Sequence, residues 1–138
     1  MPLYACFVQA GALTQQQKAE IAGEITRIHC DLTGAPPSFV HVRFHMTAPG
    51  DGYTGGKPAK SAVVDGSVRA GRPREVTVKL LQELSVMYQR ISGIPEWDLV
   101  VAIREIPAGN VMEAGHILPE PNEEAAWLAK HGGSWEAA

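Results

Sequence analysis

Cysteine is scarce in this 138-residue chain, with only Cys6 and Cys30. Two thiols make no disulfide framework, and their separation is not that of a spaced ligand set. An excess of one charge is missing too. Twelve basic residues face fifteen acidic ones, for a net charge of −3, so a nucleic-acid partner is not expected. No apolar run approaches the roughly 20 residues that cross a bilayer, so no membrane partner is expected either. The N-terminus lacks a basic region followed by an apolar stretch, which leaves the cytoplasm as the expected location. The five histidines, His29, His41, His45, His116 and His131, lack tight ligand spacing. His41 and His45 lie four apart in an expected strand and share a face. Without carboxylate or thiolate partners they do not argue for a metal.

What is present suits one soluble globular domain: 45% hydrophobic and 20% charged residues. Leu3 to Val8 is apolar and β-prone, hence a strand. Thr14 with Gln17 forms a capping box that starts a helix. Ile21, Ile25, Ile28 and Leu32 lie on one face of that helix, and Gly34, Pro36 and Pro37 stop it. Phe39 to Met46 reads as a second strand. A Gly/Pro-rich loop fills residues 47–60. Ser61 to Val68 reads as a strand, and Pro73 sits where a first helical residue belongs. Val76, Leu80, Leu84, Met87 and Ile91 form the next apolar stripe. Gly93 and Pro95 end it, and Leu99 to Ile106 is the last strand.

The halves repeat. Leu32-Thr33-Gly34-Ala35-Pro36 matches Ile91-Ser92-Gly93-Ile94-Pro95, with the glycines 59 residues apart (93 − 34). A repeat of that length signals two copies of one supersecondary unit. Each copy reads strand–helix–strand, with a right-handed crossover. The expected fold is α+β (α/β): tandem βαβ units at about 2–47 and 61–107, followed by a tail at about 108–138. They should form a four-stranded mixed sheet with both helices on one face. The other sheet face also carries apolar residues and should pack on another subunit. In the tail, Glu123 to Lys130 suits a short helix, with Trp127 anchoring it on a neighbour.

Four features carry chemistry. Met1-Pro2 comes first: if processing removes Met1, Pro2 becomes a secondary amine able to act as general acid or base near neutral pH. Many soluble proteins begin the same way, so this alone is weak. Arg69-Ala70-Gly71-Arg72-Pro73 lies between a strand and a helix start, where backbone donors and the helix dipole favour an anion. Guanidinium forks there would grip a carboxylate; the bland alternative is a solvated basic turn. His29 falls on the apolar face of the first helix, either as a buried structural histidine or as an anion donor. Glu113, after the last strand, is either solvated surface or a carboxylate able to activate water.

Together these residues resemble the tautomerase superfamily, specifically its cis-3-chloroacrylic acid dehalogenase-like branch. The likeness runs from Pro2 to about Trp127. It includes His29 ahead of Leu32-Thr33-Gly34, the Arg-x-Gly-Arg of Arg69 and Arg72, Glu105-Ile106-Pro107, Glu113, and Leu118-Pro119-Glu120-Pro121. The resemblance implies a tautomerase-like fold and a homotrimer, with neither a metal nor an organic cofactor. It makes Pro2, Glu113 and His29 catalytic, and Arg69, Arg72 and His29 the carboxylate site for a small unsaturated acid. Two departures stand out. Ala102 replaces a tyrosine that assists the glutamate with water, leaving Tyr4 and Tyr53 as substitutes to test, and Ala114 replaces an aromatic residue. Three functions follow as alternatives: water addition to unsaturated carboxylates, with dehalogenation where a halide is present; keto–enol tautomerisation of 2-keto or 2-hydroxydienoate acids; and non-catalytic ligand binding or assembly.

Overall fold

The computed structural model describes residues 1–132, so the last six residues of the tail assigned above lie outside the described residues. Strand β1 (Leu3–Gln9) leads into helix α1 (Gln15–Thr33), then β2 (His41–Thr47). A hairpin of β3 (Tyr53–Thr54) and β4 (Lys57–Pro58) occupies the Gly/Pro-rich loop. The unit then recurs as β5 (Ala62–Arg69), α2 (Arg74–Ser92) and β6 (Leu99–Ile106). A second hairpin, β7 (Met112–Glu113) with β8 (His116–Ile117), precedes helix α3 (Glu124–His131).

The four long strands form one mixed sheet in the order β2-β1-β5-β6. Each βαβ unit contributes a parallel pair, and the units join through antiparallel β1 and β5. Alternation decides the faces. Tyr4, Cys6 and Val8 of β1, with Val64 and Val68 of β5, turn toward Ile21, Ile25 and Ile28 of α1 and Leu80, Leu84 and Met87 of α2. Both helices therefore share one sheet face, as the repeat predicts. Leu3, Phe7 and Val100 remain exposed on the opposite face.

Local chemistry sets the boundaries. The Thr14 hydroxyl accepts from the Gln17 amide while Gln17 accepts from the Thr14 amide, completing the expected box. Gly34 and Gly93 end the two long helices in the left-handed conformation, at φ 74° and 75°, which glycine adopts without penalty. Pro73 is the N-cap of α2 rather than its first helical residue. Phe39 belongs to a 3-10 turn ahead of β2, because the prolines at 36 and 37 fix a bend before the chain can extend. Trp127 packs within its own chain, edge-on to Phe39 with its indole N–H donating to the Ile117 carbonyl at 2.7 Å. It thereby anchors α3 on its own chain, while part of its surface stays accessible. Among the described residues, no helix is long and apolar enough to cross a membrane.

Gly66 pairs with Tyr4 across the central strands. A Cβ there would lie 2.5 Å from the Tyr4 ring and 2.8 Å from Ile103. Gly66→Ala should therefore destabilise the fold by about 1–3 kcal/mol through overpacking. The expected signature is a lower urea midpoint with unchanged slope. An unchanged midpoint would mean that the ring yields.

Candidate active site

The chemistry-bearing residues meet at the end of the sheet where β1 begins and β5 ends. The β1–β5 register, with Leu3 opposite Ser67, continues to set Met1 beside Arg69. The His41 amide donates to the Pro2 carbonyl at 3.0 Å, fixing the first residues against β2. Met1 and Pro2 are both buried. The Met1 ammonium donates to the Glu113 carboxylate, and His41 Nε2 contacts the same oxygen at 2.9 Å. Burial lowers the pKa of this amine, with the Arg69 charge adding to the effect and the Glu113 hydrogen bond and charge opposing it.

Glu113 is aimed by a two-residue turn. Ala114 and Gly115, at φ 51° and 80°, both occupy the left-handed region that a tight hairpin demands. Ala114 pays about 1–2 kcal/mol for that conformation.

Arg69 is 1% exposed. Its Nη1 donates to the Pro119 carbonyl at 2.8 Å, and its Nη2 to Glu124 Oε1 at 2.6 Å. Its guanidinium also lies 5.5 Å from the centre of the Phe39 ring. Arg72 donates through Nη1 to the Arg69 carbonyl at 3.2 Å and stands 4.0 Å from Glu124. Arg72 Nη2 is buried with no hydrogen-bond partner. Burial first, and Arg69 second, lower the Arg72 pKa. An orphaned cationic donor is costly, and a ligand carboxylate is the group that would satisfy it.

His29 is buried on α1, with Nδ1 2.9 Å from the Tyr4 hydroxyl. Burial, then the Arg72, Arg69 and N-terminal charges, push its pKa down to about 3. The ring is therefore neutral near pH 7. When the Tyr4 hydroxyl donates to Nδ1, the ring proton resides on Nε2 as a donor.

The structure thus gathers Pro2, Glu113, His29, Arg69 and Arg72 around one end of the sheet. Tyr53 is 60% exposed on the β3–β4 hairpin, and Tyr4 is tied to His29. Among the described residues no tyrosine hydroxyl bonds to Glu113. Ala102 lies in mid-β6 opposite Asp65, on the sheet face away from the helices. Two participants were missed in the sequence. His41 appeared only as half of a histidine pair, and sequence spacing gives no sign that Glu113 folds back onto it. Glu124 had a weak signal, as an acid in the first turn of an expected helix, but its Arg69 partner is 55 residues away.

The comparisons with known proteins decide the family. A model of the putative oxalocrotonate tautomerase enzyme family matches residues 1–131. The chain belongs to this tautomerase family. Its fold is similar to the crystal structure of native Ps01740, at 39% identity and a TM-score of 0.80, over 80% of this chain and 99% of that one. It is also similar to N1, a member of the cis-3-chloroacrylic acid dehalogenase family, at 29% identity and a TM-score of 0.89, over 92% and 90% of the two chains. Native fused 4-OT matches at 25% identity and a TM-score of 0.76, over 83% and 94%. No curated protein sequence matches the chain. Tautomerase-superfamily membership makes an enzyme the expected kind of protein.

In this tautomerase-family chain, breaking the Arg69–Glu124 pair should leave a buried guanidinium without its counter-charge. Glu124→Ala is expected to cost about 3–5 kcal/mol by chemical denaturation. A loss of about 0–1 kcal/mol, as for a surface pair, would contradict the arrangement. His29 makes a second prediction. Its folded pKa of about 3 lies below the ordinary 6.5, so between those values the unfolded chain binds a proton that the folded chain refuses. The contribution is complete above about pH 6.5 and is lost as pH falls toward 3. The urea midpoint should drop between pH 7.5 and 5.5, and His29→Gln should reduce that drop. Identical pH dependence in both proteins would rule out the assignment.

Proposed function

We propose that this protein, once Met1 is removed, uses Pro2 and Glu113 to add water across the multiple bond of a small α,β-unsaturated carboxylate. The observation that carries this reading is the placement of Met1. Its amine lies on Glu113 and its carbonyl carbon is bonded to the Pro2 nitrogen, so its main chain bridges the two groups. Removing Met1 would leave a proline amine and a carboxylate flanking a space for the reacting carbons and one water.

The carboxylate of the acid would take the free Arg72 Nη2, with neutral His29 as a further donor and Arg69 supplying positive charge behind it. That pull polarises the multiple bond. Glu113 takes a proton from water, the resulting hydroxide adds at carbon 3, and the Pro2 ammonium delivers a proton to carbon 2. His41, bonded to Glu113, orients the carboxylate. With a 3-haloacrylic acid the adduct loses hydrogen halide and gives malonate semialdehyde; with propiolate, hydration gives the enol of the same product. The cis-3-chloroacrylic acid dehalogenase family name of N1 agrees with this substrate class.

Keto–enol tautomerisation is the second reading. It is favoured by the absence of a tyrosine on Glu113 among the described residues, since moving a proton between carbon and oxygen needs no activated water. Neutral Pro2 would carry that proton while the arginine end holds the carboxylate. We further propose a homotrimer in the cytoplasm, with the exposed Leu3, Phe7 and Val100 face packed between subunits. A monomer by light scattering would count against that assembly.

The deciding experiment is a proton NMR time course of the processed protein with cis-3-chloroacrylate, propiolate and phenylenolpyruvate. Malonate semialdehyde is expected from both three-carbon acids. Pro2→Ala and Glu113→Gln should each slow its formation by about 10²–10⁴-fold. Ketonisation alone, retained in Glu113→Gln, would select the tautomerase reading. Complete retention of Met1 in the native protein, seen by intact mass, would overturn both.

A further inference from the structure

Met1 does more than bridge two reactive groups. It is 1% exposed, and it packs with Phe39, Ala108 and Leu118 in a small apolar cluster separate from the main core. Trp127 and Leu128 of α3 back this cluster. We propose that the volume Met1 occupies is a binding pocket for an apolar tail. On this view the physiological ligand is an unsaturated carboxylic acid carrying an alkyl or similar apolar group remote from its carboxylate, rather than a bare three-carbon acid. The inference rests on the reading of Pro2 as the processed terminus and adds the class of substrate that fits.

Three observations carry it. The first is continuity: the main chain of Met1 passes the Pro2 nitrogen where chemistry would occur, and the same residue continues into the Phe39–Ala108–Leu118 cluster. A ligand taking its place would have reacting carbons and tail in one connected space.

The second is the chemistry of the walls. They are apolar, and a dry apolar cavity of side-chain size takes apolar guests in preference to water. Leaving it empty would forfeit the contacts that its lining now makes. The charged groups stand at its edge: Arg69 lies over the Phe39 ring, and Glu113 lies at the Met1 amine. The charged groups thus rim the space and the apolar walls form its interior, which suits a carboxylate at the rim and a tail within.

The third is the rigidity of the walls. The Trp127 indole is bonded to the Ile117 carbonyl at 2.7 Å, and the Leu118 amide to the Val111 carbonyl at 3.0 Å. The Val111 amide is bonded to the Ala108 carbonyl at 3.1 Å. Arg69 pins both the Pro119 carbonyl and Glu124 of α3. These bonds hold the lining in place when Met1 is absent and oppose collapse into the vacated space.

The test uses the full chain with Met1 removed, verified by intact mass. It is titrated by calorimetry with propanoate and hexanoate, two saturated acids that need no turnover. Hexanoate should bind more than tenfold tighter, since burial of each methylene contributes roughly fourfold in affinity. Ala108→Leu refills the pocket and should bring the two affinities within about twofold, as overpacking closes such sites. In parallel, 2-hexynoate should be hydrated with a lower KM than propiolate. Equal binding of the two acids to the unsubstituted protein would overturn the tail pocket while leaving the carboxylate site standing. Binding of neither acid, with neither alkyne turned over, would overturn the carboxylate reading itself and this inference with it.

Discussion

A guanidinium almost wholly removed from water is the constraint around which this molecule is arranged. Arg69 ends a central strand, and leaving its charge uncompensated there would cost several kcal/mol. The chain answers from far along its length. Pro119 supplies a carbonyl, Glu124 a carboxylate, and Phe39 the face of a ring. Each of these belongs to a different segment. Satisfying Arg69 therefore draws the C-terminal helix across the start of β1, and the apolar cluster around Met1 forms under it. A pair of this kind contributes little net stability compared with an apolar replacement. What it does is specify where α3 must lie.

The same end of the sheet carries an electrostatic balance. The N-terminal amine, Arg69 and Arg72 are positive, and Glu113 and Glu124 are negative. The two carboxylates have separate duties, Glu124 compensating the arginines and Glu113 facing the amine. Because Glu124 sits 4.0 Å from Arg72, beyond hydrogen-bond reach, one guanidinium nitrogen is left unpaired. His29 stays neutral because it is buried, with the charges of Arg72, Arg69 and the N-terminal amine adding to the effect. The site can thus offer cationic and neutral donors side by side, which suits recognition of a single carboxylate.

Most of the frame was legible in the sequence because its determinants are local. The Thr14–Gln17 box, the stripes through Ile21 and Leu80, and the helix-ending glycines act within a few residues, and the repeat fixed the order of elements. The boundary errors were also local: Pro36 and Pro37 impose a 3-10 turn on Phe39 where β-propensity suggested strand. The site was legible in part. Pro2, His29, Arg69, Arg72 and Glu113 were singled out by motif resemblance, and the fold brings them to one place. Their partners were not readable, because the contacts of Glu113 with His41 and of Arg69 with Glu124 span 72 and 55 residues. No period or spacing encodes such pairs; only the closed sheet does. The intrachain contacts of Trp127 with Phe39 and Ile117 were equally invisible, since they too join separate segments.

The duplicated unit has a further consequence. Antiparallel pairing of β1 with β5 relates the two halves by a pseudo-twofold axis, so the sheet has two corresponding ends. The repeat distance places Ser61 where the first half has Pro2, Tyr88 where it has His29, and Leu13 where the second half has Arg72. Ser61 is peptide-bonded on both sides and can never present a free amine. Tyr88 and Leu13 are buried as apolar filling. Two copies of one scaffold therefore carry different side chains at corresponding ends, charged and titratable at one and largely apolar at the other.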